Sequence, residues 1–561
     1  MPFLRTFNPE MRISLDSVED RDHMKSNGTV RFAALVGGLT LLSRILGVVR
    51  QILMGALFGT SLFHSAFVVA FRIPNLFRRL FGEGALSAAL IPVYAEVLHK
   101  EGSREANVLA ARVMILVTGV LLLITGVGMG VCELYMRHGQ PGIRTAAVIP
   151  LLQIMLPYGV FICLVALCMA VLNSNHRFGV PAFTPVLLNL IWIAVLIGIC
   201  PWIDPAPEIR IRAVAWGILS AGIIQLMIQY PALKAVGFNL SWPRPLWGDA
   251  RLHKVLMLMG PVAVGMGAYQ LNVLIDGVLA LWVAPWAPAA LSFAELIVYL
   301  PLGLFGTSMG TVLLPAFSHH VARSDLPALR ITLQQAIRVM VFFALPASIG
   351  LTVLAEPVIR LLYEWKGARF DAESTIQSAR ALLWYAPGIV CFGMNKLWHP
   401  VFYAMKDPVT PIRIGLRMVG LNFVLNLLFI ITWPDGYRHA GLAAATTLTA
   451  GIESVLLAVI VLRRVGHDGF GLVGRSLSRM LVAGIIMGVV IALVGDGLQH
   501  PASLWPWGDK AWQLFSLSVT IGAGITVYVL ASILLCRDVW QELRGRHVQP
   551  SPDRSCGPDG V

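Results

Sequence analysis

Apolar runs of bilayer length constrain this chain more than any other feature. A helix needs about 20 apolar residues to cross the hydrocarbon core, and on that measure about fourteen segments qualify. They lie at 32–58, 62–97, 107–135, 146–172, 182–202, 211–234, 254–284, 290–317, 332–355, 380–404, 411–433, 441–462, 479–496 and 512–536. Hydrophobic residues make up 57% of the 561 and charged residues 13%, so this is not the composition of a soluble core. The expected fold is all-α and polytopic, with about 14 transmembrane helices.

Charge sets the expected topology. The net charge is +13. In a soluble protein this would suggest nucleic acid, but no zinc-finger, RNA-binding or P-loop signature is present. Lys and Arg are dense instead in the N-terminal tail, in 234–254, 323–330 and 463–479, and in the C-terminal tail. An even number of spans with this bias puts both termini in the cytoplasm, and the basic loops also suit anionic membrane lipid. The exception is 356–380, an outer loop carrying Arg360, Lys366 and Arg369, where Val358–Trp365 has the pattern of a short amphipathic helix. Residues 1–31 are polar, without the apolar core of a cleavable signal, and read as a cytoplasmic tail. The seven Cys have no metal-ligand spacing and no nucleophile-elbow spacing appears, so an enzyme is not expected. His319-His320 reads as a solvated loop pair.

The chain also repeats itself. Ala89-Leu90-Ile91-Pro92-Val93-Tyr94 matches Val312-Leu313-Leu314-Pro315-Ala316-Phe317, Pro157 matches Pro387, Pro181 matches Pro411, and Leu219-Ser220-Ala221-Gly222-Ile223 matches Leu448-Thr449-Ala450-Gly451-Ile452. The offset stays at about 223–230 residues, as in repeat architectures. Two six-helix lobes follow, at 32–236 and 254–464, joined by a cytoplasmic linker at 237–253. An even number of helices per copy makes them parallel repeats around a central cavity, a plan suited to alternating access. Residues 465–536 add two further spans and 537–561 form a C-terminal cytoplasmic tail.

Within this apolar frame, arginines stand out. The first span carries Ser43, Arg44 and Arg50, and the second carries Phe71-Arg72-Ile73-Pro74-Asn75-Leu76-Phe77-Arg78-Arg79-Leu80-Phe81-Gly82-Glu83-Gly84. Ser43 and Arg50 are seven apart and share a helical face, as do Ser65, Arg72 and Arg79, while Glu83 follows Arg79 at i+4. Each Arg at the bilayer centre costs roughly 2.5–3.5 kcal/mol, so five together approach the whole stability of a typical fold. A hydrated, anion-attracting cavity is the expected setting, against interfacial snorkelling of Arg78 and Arg79 as the plainer alternative. Guanidinium grips phosphate bidentately and stays charged, which suits a diphosphate. In the second lobe Lys396 lies near mid-span and joins the same basic set. Asp276 and Glu295 are read as the intramembrane carboxylates. Asp276, Asn422, Asn426 and Thr446 could form an oxygen-rich Na⁺ site, against interhelical hydrogen bonding as the plainer alternative.

The first-span and second-span motifs, with Asn173…Phe178…Pro181-Ala182-Phe183 and Gly441-Leu442-Ala443…Thr446, resemble the MurJ/MviN family of bacterial lipid II flippases, within the multidrug/oligosaccharidyl-lipid/polysaccharide exporter superfamily. The resemblance runs from about Arg31 to about Leu535. It implies translocation of an undecaprenyl-diphosphate-linked disaccharide-peptide across the cytoplasmic (inner) membrane for peptidoglycan synthesis and cell shape, driven by membrane potential or an ion gradient. It also implies contact with the cell-wall synthesis machinery, and a chain that works as a monomer. It places the family's essential arginines on Arg44, Arg50 and Arg78, an important acidic position on Glu83, and a lipid-tail groove on the last two spans. Two departures are visible. Ser65 stands where many members carry Asp, and Leu296, beside Glu295, stands where the family often has Arg, with Lys396 or Arg79 available to compensate. A flippase for another polyprenyl-diphosphate glycan, of the O-antigen or capsule type, is the alternative reading.

Overall fold

The computed structural model describes residues 35–80, 85–238, 248–498, 508–537 and 539–540. Within them every element is helical, because each long apolar run closes its own backbone hydrogen bonds. In chain order these are α1 (Leu35–Phe58), α2 (Leu62–Phe77), α3 (Ala85–Lys100), α4 (Ser103–His138), α5 (Ile143–Ser174), α6 (Gly179–Ala194), α7 (Pro207–Ala235), α8 (Ala250–Val283) and α9 (Ala287–Ala322). There follow α10 (Leu326–Val353), α11 (Ala355–Tyr363), α12 (Ala372–Tyr385), α13 (Gly388–Ala404), α14 (Val409–Thr432), α15 (Arg438–Val465), α16 (Phe470–Gly497) and α17 (Asp509–Leu535).

Among the described residues, 10 helices are long and apolar enough to cross a membrane. Two expected segments depart from a single plain span. Segment 62–97 leaves regular α-helix at Arg78–Leu80, where α2 runs into a π-helical turn, and the described residues resume with α3 at Ala85. A π turn inserts one residue, about 100° of rotation, so the seven-residue register between Arg72 and Arg79 is lost. Segment 380–404 is divided at Pro387, which cannot continue the hydrogen bonding of α12 and instead caps α13. Segment 254–284 corresponds to α8, which ends one residue earlier, and segment 290–317 falls within α9. The amphipathic pattern at Val358–Trp365 falls mostly in α11, which ends at Tyr363 and buries Ala355, Ile359 and Tyr363.

Residues group into two compact units, Met1–Met54 with Ala70–Gln270, and Gly55–Val69 with Leu271–Val561. The division therefore cuts through α1, α2 and α8 rather than falling in the 237–253 linker. In the first unit α3 packs on α4 and α5, α4 on α5, α5 on α7, and α6 on α7. In the second, α9 packs on α10 and α13, α10 on α13, α13 on α15, and α14 on α15. This is the same neighbour scheme twice, as the repeated motifs led us to expect. The copies match in detail at one corner. α5 ends with His176 at φ 56° and the Arg177 N–H donating to the Leu172 carbonyl at 2.9 Å. α13 ends with Lys406 at φ 58° and the Asp407 N–H donating to the Phe402 carbonyl at 2.9 Å. Each is a Schellman cap, and Pro181 or Pro411 opens the next helix five residues later. α16 and α17 lie outside this scheme. They pack on each other and on α10, where the Tyr528 hydroxyl donates to the Phe342 carbonyl at 2.9 Å.

Residues 55–69 are bound tightly into the second unit. Gly59 holds φ 55°, and a Cβ there would strike the Arg369 carbonyl. The Arg369 N–H donates to the Ala56 carbonyl at 2.9 Å, and Thr60 bonds Ser374 at 2.8 Å and Gln377 at 3.0 Å. In the first unit an ionic lattice ties the start of α8 to α3 and α4. Asp249 pairs with Arg112 and Arg251, Arg251 reaches Glu101 at 2.6 Å, and Lys254 reaches Glu96 at 2.7 Å.

Candidate functional site

The first-unit site is built from α1 and α6. Seven residues are close to two helical turns, so Ser43 and Arg50 do leave α1 on one face. Asn189 of α6 meets both. Its Oδ1 accepts from Arg50 Nη1 at 3.0 Å, and its Nδ2 donates to the Ser43 carbonyl at 2.9 Å and to Ser43 Oγ at 3.2 Å. The Arg50 guanidinium lies over the Trp192 ring, 4.2 Å from its centroid. Such stacking is worth about 0.5–2 kcal/mol, more when water is excluded. Phe71 meets the Trp192 ring edge-on at 5.5 Å and fixes its tilt. Arg50 Nε is buried without a hydrogen-bond partner. Every described contact to this guanidinium is thus neutral, and α1 and α6 contain no Asp or Glu.

Arg44, off that face, lines a cleft of about 460 Å³ with Thr40, Ser43, Asn173 and Pro181. Arg72, Arg78 and Arg79 are half-buried, and Arg78 Nε donates to Asn75 Oδ1 at 2.9 Å across one turn of α2. Glu83 lies outside the described residues. Ser65 departs from expectation. It is fully buried in the second unit and its Oγ accepts the Ala289 N–H at 3.3 Å, so it caps the start of α9 rather than facing an open wall.

In the second unit Lys396 is half-buried on α13, and Glu295 and Leu296 are half-buried on α9. Asp276 gathers the polar residues expected around it. Asn426 Nδ2 donates to Asp276 Oδ1 at 2.7 Å, and Asn272 Nδ2 to Asp276 Oδ2 at 3.3 Å. One amide atom of Asn422 lies 2.9 Å from Asn426 Nδ2 and 3.1 Å from both Asp276 Oδ1 and Asn272 Oδ1. Asn426 Oδ1 is buried without a partner. The Asn426 nitrogen, not its orphaned oxygen, faces Asp276, and both Asp276 oxygens accept amide N–H groups, so a small hard cation would fit only with these amides turned to present their oxygens. Thr446 is the exception, since its hydroxyl donates back to the Leu442 carbonyl at 3.0 Å. Asn272 was missed in sequence, although it sits one turn before Asp276 on the same face. A third membrane carboxylate, beside Asp276 and Glu295, was also missed. Glu453 of α15 accepts from Asn395 Nδ2 at 3.1 Å and lies 3.6 Å from His399 Nε2. The reasoning that singled out Asp276, a lone acid inside an apolar span, applies equally to it.

A family model described as lipid II flippase MurJ matches residues 54–505. This chain belongs to the MurJ family. A probable lipid II flippase MurJ from Vibrio cholerae is 32% identical over 530 residues, covering 91% of this chain and 97% of the relative. A lipid II flippase MurJ from Burkholderia cenocepacia is 31% identical over 433 residues, covering 75% and 81%. A solved structure of a lipid II flippase MurJ in an inward closed conformation superposes with a TM-score of 0.73 at 24% identity, over 90% of this chain and all of that one, and shows the shared fold. The chain is a multi-pass membrane protein of a MurJ transporter family, not of a family of catalysts.

Proposed function

We propose that this chain moves lipid II, the undecaprenyl-diphosphate-linked disaccharide-peptide, from the inner to the outer leaflet of the bacterial cytoplasmic membrane. The observation that carries the reading is the match along 97% of a relative that bears the name of probable lipid II flippase. The chemistry agrees with it. Arg44, Arg50, Arg72, Arg78 and Arg79 supply guanidinium groups for the diphosphate, and Lys396 supplies a cation where Leu296 replaces the family's arginine. No bond is made or broken, so these groups bind and release their substrate as the cavity opens to each side in turn. Both termini are cytoplasmic on this reading, and one chain suffices.

Asp276, Asn422 and Asn426, joined by Asn272, would hold a sodium ion. The bound ion would supply the coupling to its gradient, alongside the membrane potential. A flippase for an O-antigen or capsule glycan would need the same charges, but the curated relatives carry the lipid II name.

The test is the sidedness of lipid II in cells depleted of this protein, read with an added enzyme that cleaves only outward-facing lipid II. Product should vanish on depletion and return with the wild type but not with Arg50→Ala. Lipid II that stays accessible outside after depletion would overturn the reading.

A further inference from the structure

We propose that Asn189 and Trp192 are positioning residues that aim the Arg50 guanidinium while leaving its charge uncompensated for the anionic group of the substrate. This rests on the flippase reading for the identity of that anion. Three observations carry it. Asn189 is buried and spends all its hydrogen-bonding groups on α1, with its oxygen on Arg50 and its nitrogen on Ser43 two turns away, so it fixes both the height and the rotation of α1 against α6. The Trp192 ring covers one face of the guanidinium at 4.2 Å and is itself buried, so it fixes the plane in which Arg50 presents its donors. Arg50 Nε, buried and without a partner, keeps a donor in reserve.

A structural arginine in lipid is ordinarily paired with a carboxylate, since pairing removes the cost of the lone charge. Here the pairing position is taken by an amide isosteric with that carboxylate. Asn therefore does what Asp could do geometrically while declining the charge. A carboxylate at 189 would hold Arg50 more firmly and compete with a phosphate for it. The arrangement thus gives up fixation for affinity, which is the mark of a binding group rather than of a packing one.

The experiment uses the purified full chain in detergent, with undecaprenyl diphosphate as the probe, and two readouts: probe affinity and thermal unfolding. The variants are Asn189→Asp, Asn189→Ala and Trp192→Phe. Asn189→Asp should unfold no earlier than the wild type yet bind the probe at least about tenfold more weakly, because the new charge pair must be broken first. Asn189→Ala should unfold earlier and keep more affinity than Asn189→Asp. Trp192→Phe retains an aromatic face and should sit near the wild type in both. A purely structural role gives the opposite order, with Asp binding as well as the wild type and Ala worst in both readouts, and this result overturns the inference alone. A wild type that does not bind the probe overturns the flippase reading and the inference with it.

Discussion

A single methyl group separates the two copies of the repeat at one pair of positions. Gly222 and Gly451 occupy the same place in the two matching motifs. A Cβ on Gly222 would lie 2.7 Å from Tyr158 Cδ2 and 3.1 Å from Phe161 Cβ, whereas one on Gly451 would meet Cys391 Sγ at an ordinary 3.5 Å. Gly222→Ala should therefore destabilise the protein by about 1–3 kcal/mol through overpacking. Gly451→Ala should be neutral or stabilising by a fraction of a kcal/mol, because Ala is the better helix former. Thermal unfolding of the two variants side by side checks this, and equal behaviour would contradict it. The contrast also shows where sequence reasoning stops at this scale. The glycines could be matched by motif, but which one a neighbouring ring presses against depends on packing between distant helices. For the same reason the arginines stood out in the sequence, while the amide and indole that hold Arg50 did not, since both are ordinary residues of an apolar span.

At the scale of elements, apolar length and prolines made most helices readable before any coordinates. The breaks were harder. The π turn at Arg78–Leu80 has no local sequence requirement that distinguishes it from α-helix, so the second segment read as one run. The lattice at the start of α8 was equally hidden, because its charges lie far apart in the chain. Asp249 and Arg112 are both nearly buried, with side chains 9% and 11% exposed. Asp249→Asn would strand Arg112, and losing one partner of a buried pair costs about 3–5 kcal/mol. The Asp249 carboxyl is held below its usual range, first by the hydrogen bond from Arg251. Its contribution is thus complete above the unfolded value of about 4 and is lost as pH falls through the lower folded value. Unfolding temperatures of wild type and Asp249→Asn, measured from pH 7 downward, should differ at neutral pH, draw together as pH falls past about 4, and converge only below the depressed folded value. A gap that persists in acid would assign the effect to something other than this charge.

For the molecule as a whole, the repeat was the most informative thing in the sequence, since it foretold the neighbour scheme that each compact unit shows. What it could not foretell is that the units exchange material, with residues 55–69 packed among helices that begin after residue 271. The consequence concerns synthesis. The chain is made from its N-terminus, so Gly59, Thr60 and Ser65 enter the membrane long before Arg369, Ser374 and Ala289 exist to meet them. Through that interval the buried hydroxyls of this segment lack their partners, and the second unit cannot close on its own late helices alone. A chain cut at residue 240 should therefore yield a C-terminal half that is degraded when expressed alone and recovered when the N-terminal half is supplied beside it. Adding back a fragment that ends before residue 55 should rescue nothing, and pulse-chase lifetimes of the C-terminal half would report the difference. Domain duplication usually suggests two parts that can be made apart, but here the early part carries a piece of the late one, and the order of manufacture becomes a condition of folding.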